Sequence, residues 1–277
     1  MTALAPAASR SGAVDARGGR GLRVTQQRVL RSEWIKFRSL RSTGWTMLMG
    51  VTFLIGLGAL FTAITANTAA GLDPGSTAIS VSLTGTFFAQ LALGVLGALM
   101  ITGEYSTGMI RASLTVVPRR LPVLWAKLAV LAAAVFSTML IASVTAFLLG
   151  QALLSSKHLS VPLSNPTAMR SVLGAALYLT VAAMTGLALG ALMRNTAAAI
   201  TTFVAVFFVI PPLTMLLPGT WTAHFVQYLP SNAGAMLIDG NYGVAHPLAP
   251  WTGFAVMCAF LALLVALAAW RLQRTDA

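Results

Sequence analysis

Charge is the scarcest thing in this sequence. Its 277 residues include 18 Lys or Arg and 6 Asp or Glu, 9% of the chain, while 57% is hydrophobic. Water-soluble domains carry about a quarter charged residues. The charges also cluster. From Gly44 to Gly103 the single charge is Asp73, and from Asn195 to Trp270 it is Asp239. A soluble core has no use for so much uncharged apolar chain, which excludes one large soluble domain and points to a membrane. Cysteine is nearly absent. Cys258 is alone and lies in an apolar run, so an internal disulfide and zinc sites of the Cys-x-x-Cys type are both excluded. The histidines His158, His224 and His246 fall on separate connections and read as solvated loop residues, not as a metal site or proton relay.

Several catalytic signatures are missing too. Lys36, Lys127 and Lys157 each lack the glycine-rich run that precedes the lysine of a phosphate-cradling loop, so the chain is not itself an ATPase. There is no His-Glu-x-x-His for a membrane metalloprotease and no Gly-x-Ser-x-Gly elbow for a serine hydrolase. No carboxylate falls inside an apolar run, and Glu104 lies only at the edge of one. A carrier coupled to protons or sodium therefore has no obvious place for its ion.

What is present is length and apolarity in the right portions. A hydrocarbon core of about 30 Å takes roughly 20 helical residues. Six runs meet that need, approximately Gly44 to Ala66, Leu83 to Thr102, Val123 to Leu149, Ser171 to Met193, Ala197 to Leu217 and Trp251 to Trp270. The spacing predicts an all-α integral membrane protein with six transmembrane helices. If the N-terminus is cytoplasmic, the inside segments hold nearly all the basic residues and the outside ones only Lys157 and Arg170, so the positive-inside rule puts both termini in the cytoplasm. Trp34, Trp45, Trp125, Trp221, Trp251 and Trp270 all fall at or near predicted boundaries, where an indole prefers to sit.

The net charge of +12 suggests nucleic acid until the cations are located. Nine of the eighteen lie between Arg10 and Arg41, beside the first apolar run, with no basic domain and interleaved aromatics after them. That arm suits anionic lipid and topology, and nucleic acid is not an expected partner. Met1 to Val24 lacks the apolar stretch of a signal peptide and is expected to be a disordered cytoplasmic tail. Between Gln26 and Arg41, Leu30, Trp34 and Phe37 repeat at helical spacing while Arg28, Arg31, Ser32 and Lys36 turn away. This predicts an amphipathic helix lying in the cytoplasmic interface, with Ile35 on the wrong face.

Three stretches carry a resemblance. Gly103-Glu104-Tyr105-Ser106-Thr107-Gly108-Met109-Ile110-Arg111, with Val117-Pro118-Arg119-Arg120 and Lys127 after it, resembles the cytoplasmic loop of ABC exporter permeases of the type-2 family, in an actinobacterial form. Ser32-Glu33-Trp34-Ile35-Lys36-Phe37-Arg38-Ser39 resembles that family's elbow helix, and Tyr228-Leu229-Pro230-Ser231-Asn232-Ala233-Gly234 its outer segment between spans five and six. The resemblance covers about residues 25 to 272. It implies a dimer of permease subunits in the bacterial cytoplasmic membrane, each bound through the loop between spans two and three to a separate ATPase subunit. ATP and magnesium would be held by that partner pair, leaving no cofactor, metal or catalytic residue in this chain. Glu104, Thr107, Gly108 and Arg111 would then belong to the coupling loop and Arg119 and Arg120 to its exit, while Arg119, Arg120 and Lys127 also suit a purely topological role. Glu33, Trp34, Lys36 and Arg38 would belong to the elbow.

The resulting division is a tail at 1–24, an elbow helix at 25–43, a transmembrane domain at 44–270 and a tail at 271–277. Within the membrane domain, 103–122 is the coupling loop and 218–250 a segment that caps the outer side with short helices. Pro211 and Pro212 are expected to bend or end span five. Ala182, Gly186 and Gly190 recur at every fourth position of span four and offer a close approach, either to a second copy or within one subunit. Gln90, Ser137, Thr138, Ser143, Thr145, Thr180, Thr185, Thr201 and Thr202 make a weakly polar lining that fits many amphiphiles. The function expected is export of an amphiphilic or hydrophobic substrate. A stand-alone carrier or channel, or a non-transporting scaffold, is the alternative.

Overall fold

The computed structural model describes residues 26–68, 74–106, 120–155, 159–214, 216, 225–239 and 247–274, and these contain helices and no strand. An N-terminal helix, Gln26–Ser39, precedes six helices long and apolar enough to cross a membrane. They are span one (Arg41–Asn67), span two (Thr77–Tyr105), span three (Leu121–Ser155), span four (Pro166–Met193), span five (Thr196–Thr214) and span six (Pro250–Arg274). Each lies on one of the six apolar runs. Two are longer than hydropathy suggests, span two beginning before Leu83 and span three running past Leu149. The early turn of span two is rich in hydroxyls, which lowers its hydropathy, but Ser80 and Ser82 donate to the carbonyls of Thr77 and Ala78, so their polarity is spent inside the helix. In the added turn of span three, buried Gln151 donates to Ala78 O and Ser82 Oγ at 3.3 and 3.2 Å and accepts from Val161 N–H at 2.7 Å.

Lipid tails are as apolar as leucine, so spans associate by close packing and not by escape from water. Span four is the axis of that packing and the most deeply buried span; its largest contacts are with spans two and three. The Ala182, Gly186 and Gly190 stripe is used here, inside the subunit. A Cβ on Gly186 would lie 2.0 Å from Gly94 O, and one on Gly97 of span two 1.9 Å from Ala183 O. The two backbones touch, and only hydrogen fits between them. Asn165 starts span four by accepting from Thr167 N–H at 2.9 Å, with Pro166 next to it. The span ends at Arg194, whose φ of 54° is the only positive value at a non-glycine among the described residues. Asn195 then caps span five through Ala198 N–H at 3.0 Å, so the two spans are joined by a tight corner.

Spans one and five each contain a π-helical turn, at Phe53–Leu57 and Ala205–Val209. In span five the cause is local. Pro211 and Pro212 have no amide hydrogen to donate, and their rings crowd the carbonyls one turn back. The wider turn relieves that crowding: Ile210 N–H donates to Ala205 O, five residues back, and the helix ends at Thr214. After span five, the described residues of the outer segment form a 3-10 turn, Val226–Tyr228, and a short helix, Pro230–Ala235, in which all six residues are buried. That helix is wedged between spans four and six, with Gly234 against Tyr178 and Met257. Ser171 of span four fastens it by donating to Ile238 O at 2.5 Å.

Candidate functional site

Among the described residues, the densest polar structure is a closed ring of four ionisable side chains where the N-terminal helix meets the ends of spans two and three. Glu33 comes from the N-terminal helix, Glu104 from the last turn of span two and Lys127 from the second turn of span three; they are 2%, 7% and 2% exposed. Lys127 Nζ donates to Glu33 Oε2 at 2.7 Å and to Glu104 Oε1 at 2.8 Å. Lys36 Nζ closes the ring, 3.0 Å from Glu33 Oε1 and 3.2 Å from Glu104 Oε1. Two carboxylates and two ammoniums sum to zero formal charge, so the cluster can be buried without a net charge. Glu104 Oε2 is buried and has no hydrogen-bond partner among the described residues.

Local sequence explains how the ring assembles. The N-terminal helix places Glu33 and Lys36 one turn apart on the face that also carries Val29, and Val29 packs on Val123 and Ala126 of span three. Gln26 adds a hydrogen bond from Nε2 to Pro122 O at 3.3 Å. At Lys36, burial works to lower the pKa, but the hydrogen bond to Glu33 and the charges of Glu104 and Glu33 outweigh it and hold the ammonium above its ordinary 10.5. Lys36 thus stays charged at any physiological pH.

Beside the ring, the same end of the bundle is tied together by arginines. The Arg194 guanidinium lies over the Tyr105 ring, 5.6 Å from its centroid, so the corner between spans four and five is joined to the end of span two. Arg271 of span six donates to Leu192 O, one of the last carbonyls of span four. Arg274 covers Trp270 at 4.7 Å.

Several expectations change here. The N-terminal helix turns Val29 and Glu33 inward, while Trp34 is 46% exposed and stacks on Phe37; the polar edge of the helix, not the Trp34 edge, meets the bundle. The reason is that the buried Glu104 carboxylate and the buried Lys127 ammonium are available to Lys36 and Glu33 only on that side. Lys36, expected to face away, is a member of the ring, and so is Lys127, for which a purely topological role was one of two readings. Glu104 lies at the edge of its apolar run, in the last turn of span two, which continues to Tyr105. Arg38 falls on the exposed surface of the N-terminal helix. Thr107, Gly108, Arg111 and Arg119, like the three histidines, lie outside the described residues, and Arg120 is described only as the first residue of the helix Arg120–Ser155. The hydroxyls expected to line a pathway are largely spent on their own helices: Ser137, Thr145, Thr180 and Thr185 each donate to a carbonyl four residues back. Ser143 instead crosses to Val172 O at 3.0 Å.

Six apolar spans, five of them gathered around the buried fourth, with cations and an ion-paired junction concentrated at one end, define a multi-pass helical membrane protein. The chain belongs to the ABC-2 transporter family: residues 29–212, well over half of it, match the family described as ABC-2 family transporter protein. It is a type-2 ABC permease, a membrane transport component. The match takes in the whole ring and reaches Pro212 at the end of span five. No curated protein matches the chain.

Proposed function

We propose that this permease is the membrane subunit of an ATP-driven exporter, which moves an amphiphilic or hydrophobic substrate out of the cytoplasm while a separate pair of ABC ATPase subunits hydrolyses ATP. Its basic end faces the cytoplasm of a bacterial inner membrane, and a second permease copy or homologue completes the pathway. The observation that carries this reading is the ring. Connection 103–122 enters from Glu104 and leaves towards Lys127, and both residues share charges with Glu33 and Lys36. A force applied to the connection by a docked ATPase therefore reaches the N-terminal helix, span two and span three together. A loop whose only task is topology has no need of a buried, charge-balanced anchor at both of its roots. Glu104 is the residue through which the connection, the N-terminal helix and span three all communicate, while Thr107, Gly108 and Arg111 are the candidate contacts with the ATPase.

The test is a search for an ABC ATPase gene beside this one, followed by co-expression of the two. The wild-type permease is expected to copurify with the ATPase and to change its hydrolysis rate. Gly108→Trp and Arg111→Glu, neither of them in the ring, are expected to reach wild-type membrane levels yet lose copurification. Lys36→Gln is expected to keep the ATPase bound but remove the change in its rate. Failure of the wild-type pair to associate, or wild-type behaviour of all three variants, would overturn the assignment.

A further inference from the structure

At the end of the bundle opposite the ring lies a cavity of about 380 Å³ between span two, span four and the short helix Pro230–Ala235. Leu83, Phe87, Ala235 and Ile238 make its walls largely apolar. Polar groups line it too, and of these Ser80 and Thr84 spend their hydroxyls on the carbonyls of Thr77 and Ser80. Gln90, 1% exposed, accepts a hydrogen bond from the Tyr178 hydroxyl through Oε1, which leaves its amide nitrogen, a donor of two hydrogens, to meet an occupant. Thr86 is 4% exposed, and its hydroxyl lines the same cavity with no hydrogen-bond partner. A buried hydroxyl left unpaired costs about 1–3 kcal/mol, so this site is incomplete as it stands. At the rim is Asp239, one of only six acidic residues in the chain, which forms no ion pair with any described residue.

These three features specify an occupant. Unsatisfied donors at the floor require an acceptor oxygen, apolar walls require a hydrocarbon or aromatic body, and a lone carboxylate at the rim requires a cation. We infer that the cavity binds a small amphiphilic amine, its ammonium at Asp239 and a carbonyl, sulfonyl or ether oxygen at Gln90 and Thr86. A cavity of this size holds a ligand of about drug size. The rim belongs to the end that the charge distribution puts outside, so the site is open to the extracytoplasmic side. The inference goes beyond the export reading and needs neither ATP nor an ATPase, so either reading can fail without the other.

The probe is dansylcadaverine, which combines a primary ammonium, a naphthalene and two sulfonyl oxygens; its N-acetylated form is the uncharged control. Fluorescence anisotropy is measured on the full-length permease in phosphatidylcholine nanodiscs, with empty nanodiscs subtracted. Wild type is expected to bind the amine saturably and about tenfold more tightly than the acetylated form, the factor for a hydrogen bond to a charged group. Asp239→Asn is expected to erase that preference and Asp239→Glu to keep it, while Thr86→Val weakens both probes severalfold. Binding equal to that of empty nanodiscs, equal affinity for the two probes in wild type, or an undiminished preference in Asp239→Asn would each overturn the inference. Asp239 is at the rim, so its two variants decide the matter even if Thr86→Val unfolds.

Discussion

Lys127 is a cation held by two carboxylates at a depth where the helix already faces the apolar bundle, and its loss has a definite consequence. Lys127→Met leaves Glu33 and Glu104 buried with only the half-exposed Lys36 between them. Removing one partner of a buried ion pair costs about 3–5 kcal/mol, whereas removing every member costs far less. Lys127→Met alone is thus expected to lower stability by that amount, measured by denaturant unfolding in detergent, and the triple variant Glu33→Gln, Glu104→Gln, Lys127→Met to recover most of it. A triple variant as unstable as the single would mean that packing, not charge, holds the junction. Lys36 sets a pH limit. Its pKa is raised in the fold, so the stability it contributes is intact below 10.5 and is lost as pH rises through the still higher folded value. Because Lys36 is half-exposed, that contribution is at most about 1 kcal/mol. A nitroxide on Ile35→Cys in a Cys258→Ala background is expected to gain mobility only above about pH 10.5.

For helices, the sharpest prediction concerns the contact of spans two and four. Gly186→Leu pushes a side chain into the Gly94 carbonyl, where even a Cβ has no room, and separating the two backbones is expected to cost at least the 1–3 kcal/mol typical of overpacking. Gly44→Leu, at a position with nothing within 4 Å of a Cβ, is the control and is expected to leave the melting temperature unchanged. The spans themselves were legible in the sequence because apolar length is additive along the chain and needs no partner. The ends of spans two and three were not, since Ser80, Ser82 and Gln151 count as polar in any hydropathy sum yet find their acceptors within the bundle. The ring was only half legible. An ion pair between Glu104 and a cation of the N-terminal helix follows from their shared boundary, but Lys127 looks like any other cation of the positive end. The pairing of Tyr178 with Gln90 depends on the register of spans two and four, which no single-helix pattern contains. The π turn before Pro211 was foreseen only as a bend or stop, because a missing amide hydrogen shows where a helix is disturbed but not how it relaxes.

Taken whole, the molecule is polarised. One end gathers the described cations of the N-terminal helix together with Lys127, Arg194, Arg271 and Arg274, and the other has Arg170 and the rim carboxylate Asp239. Span four fills the centre, while spans one and five leave most of their surface to lipid or to a second subunit. The ring gives this arrangement a timetable. Glu33 leaves the ribosome 94 residues ahead of Lys127, and Val29 is equally early relative to Val123 and Ala126, the residues that cover it. During synthesis the N-terminal helix therefore has no docking site until span three has been inserted, and it must wait at the membrane surface with its carboxylate in water. Nascent chains stalled so that only residues up to Pro118 are exposed should leave a cysteine at Val29 open to maleimide, whereas chains exposed as far as Leu159 should protect it. Equal labelling at both lengths would mean that the helix docks without span three. On this schedule the first helix made is seated only after the third span, so a permease interrupted before that point is left with its first helix undocked.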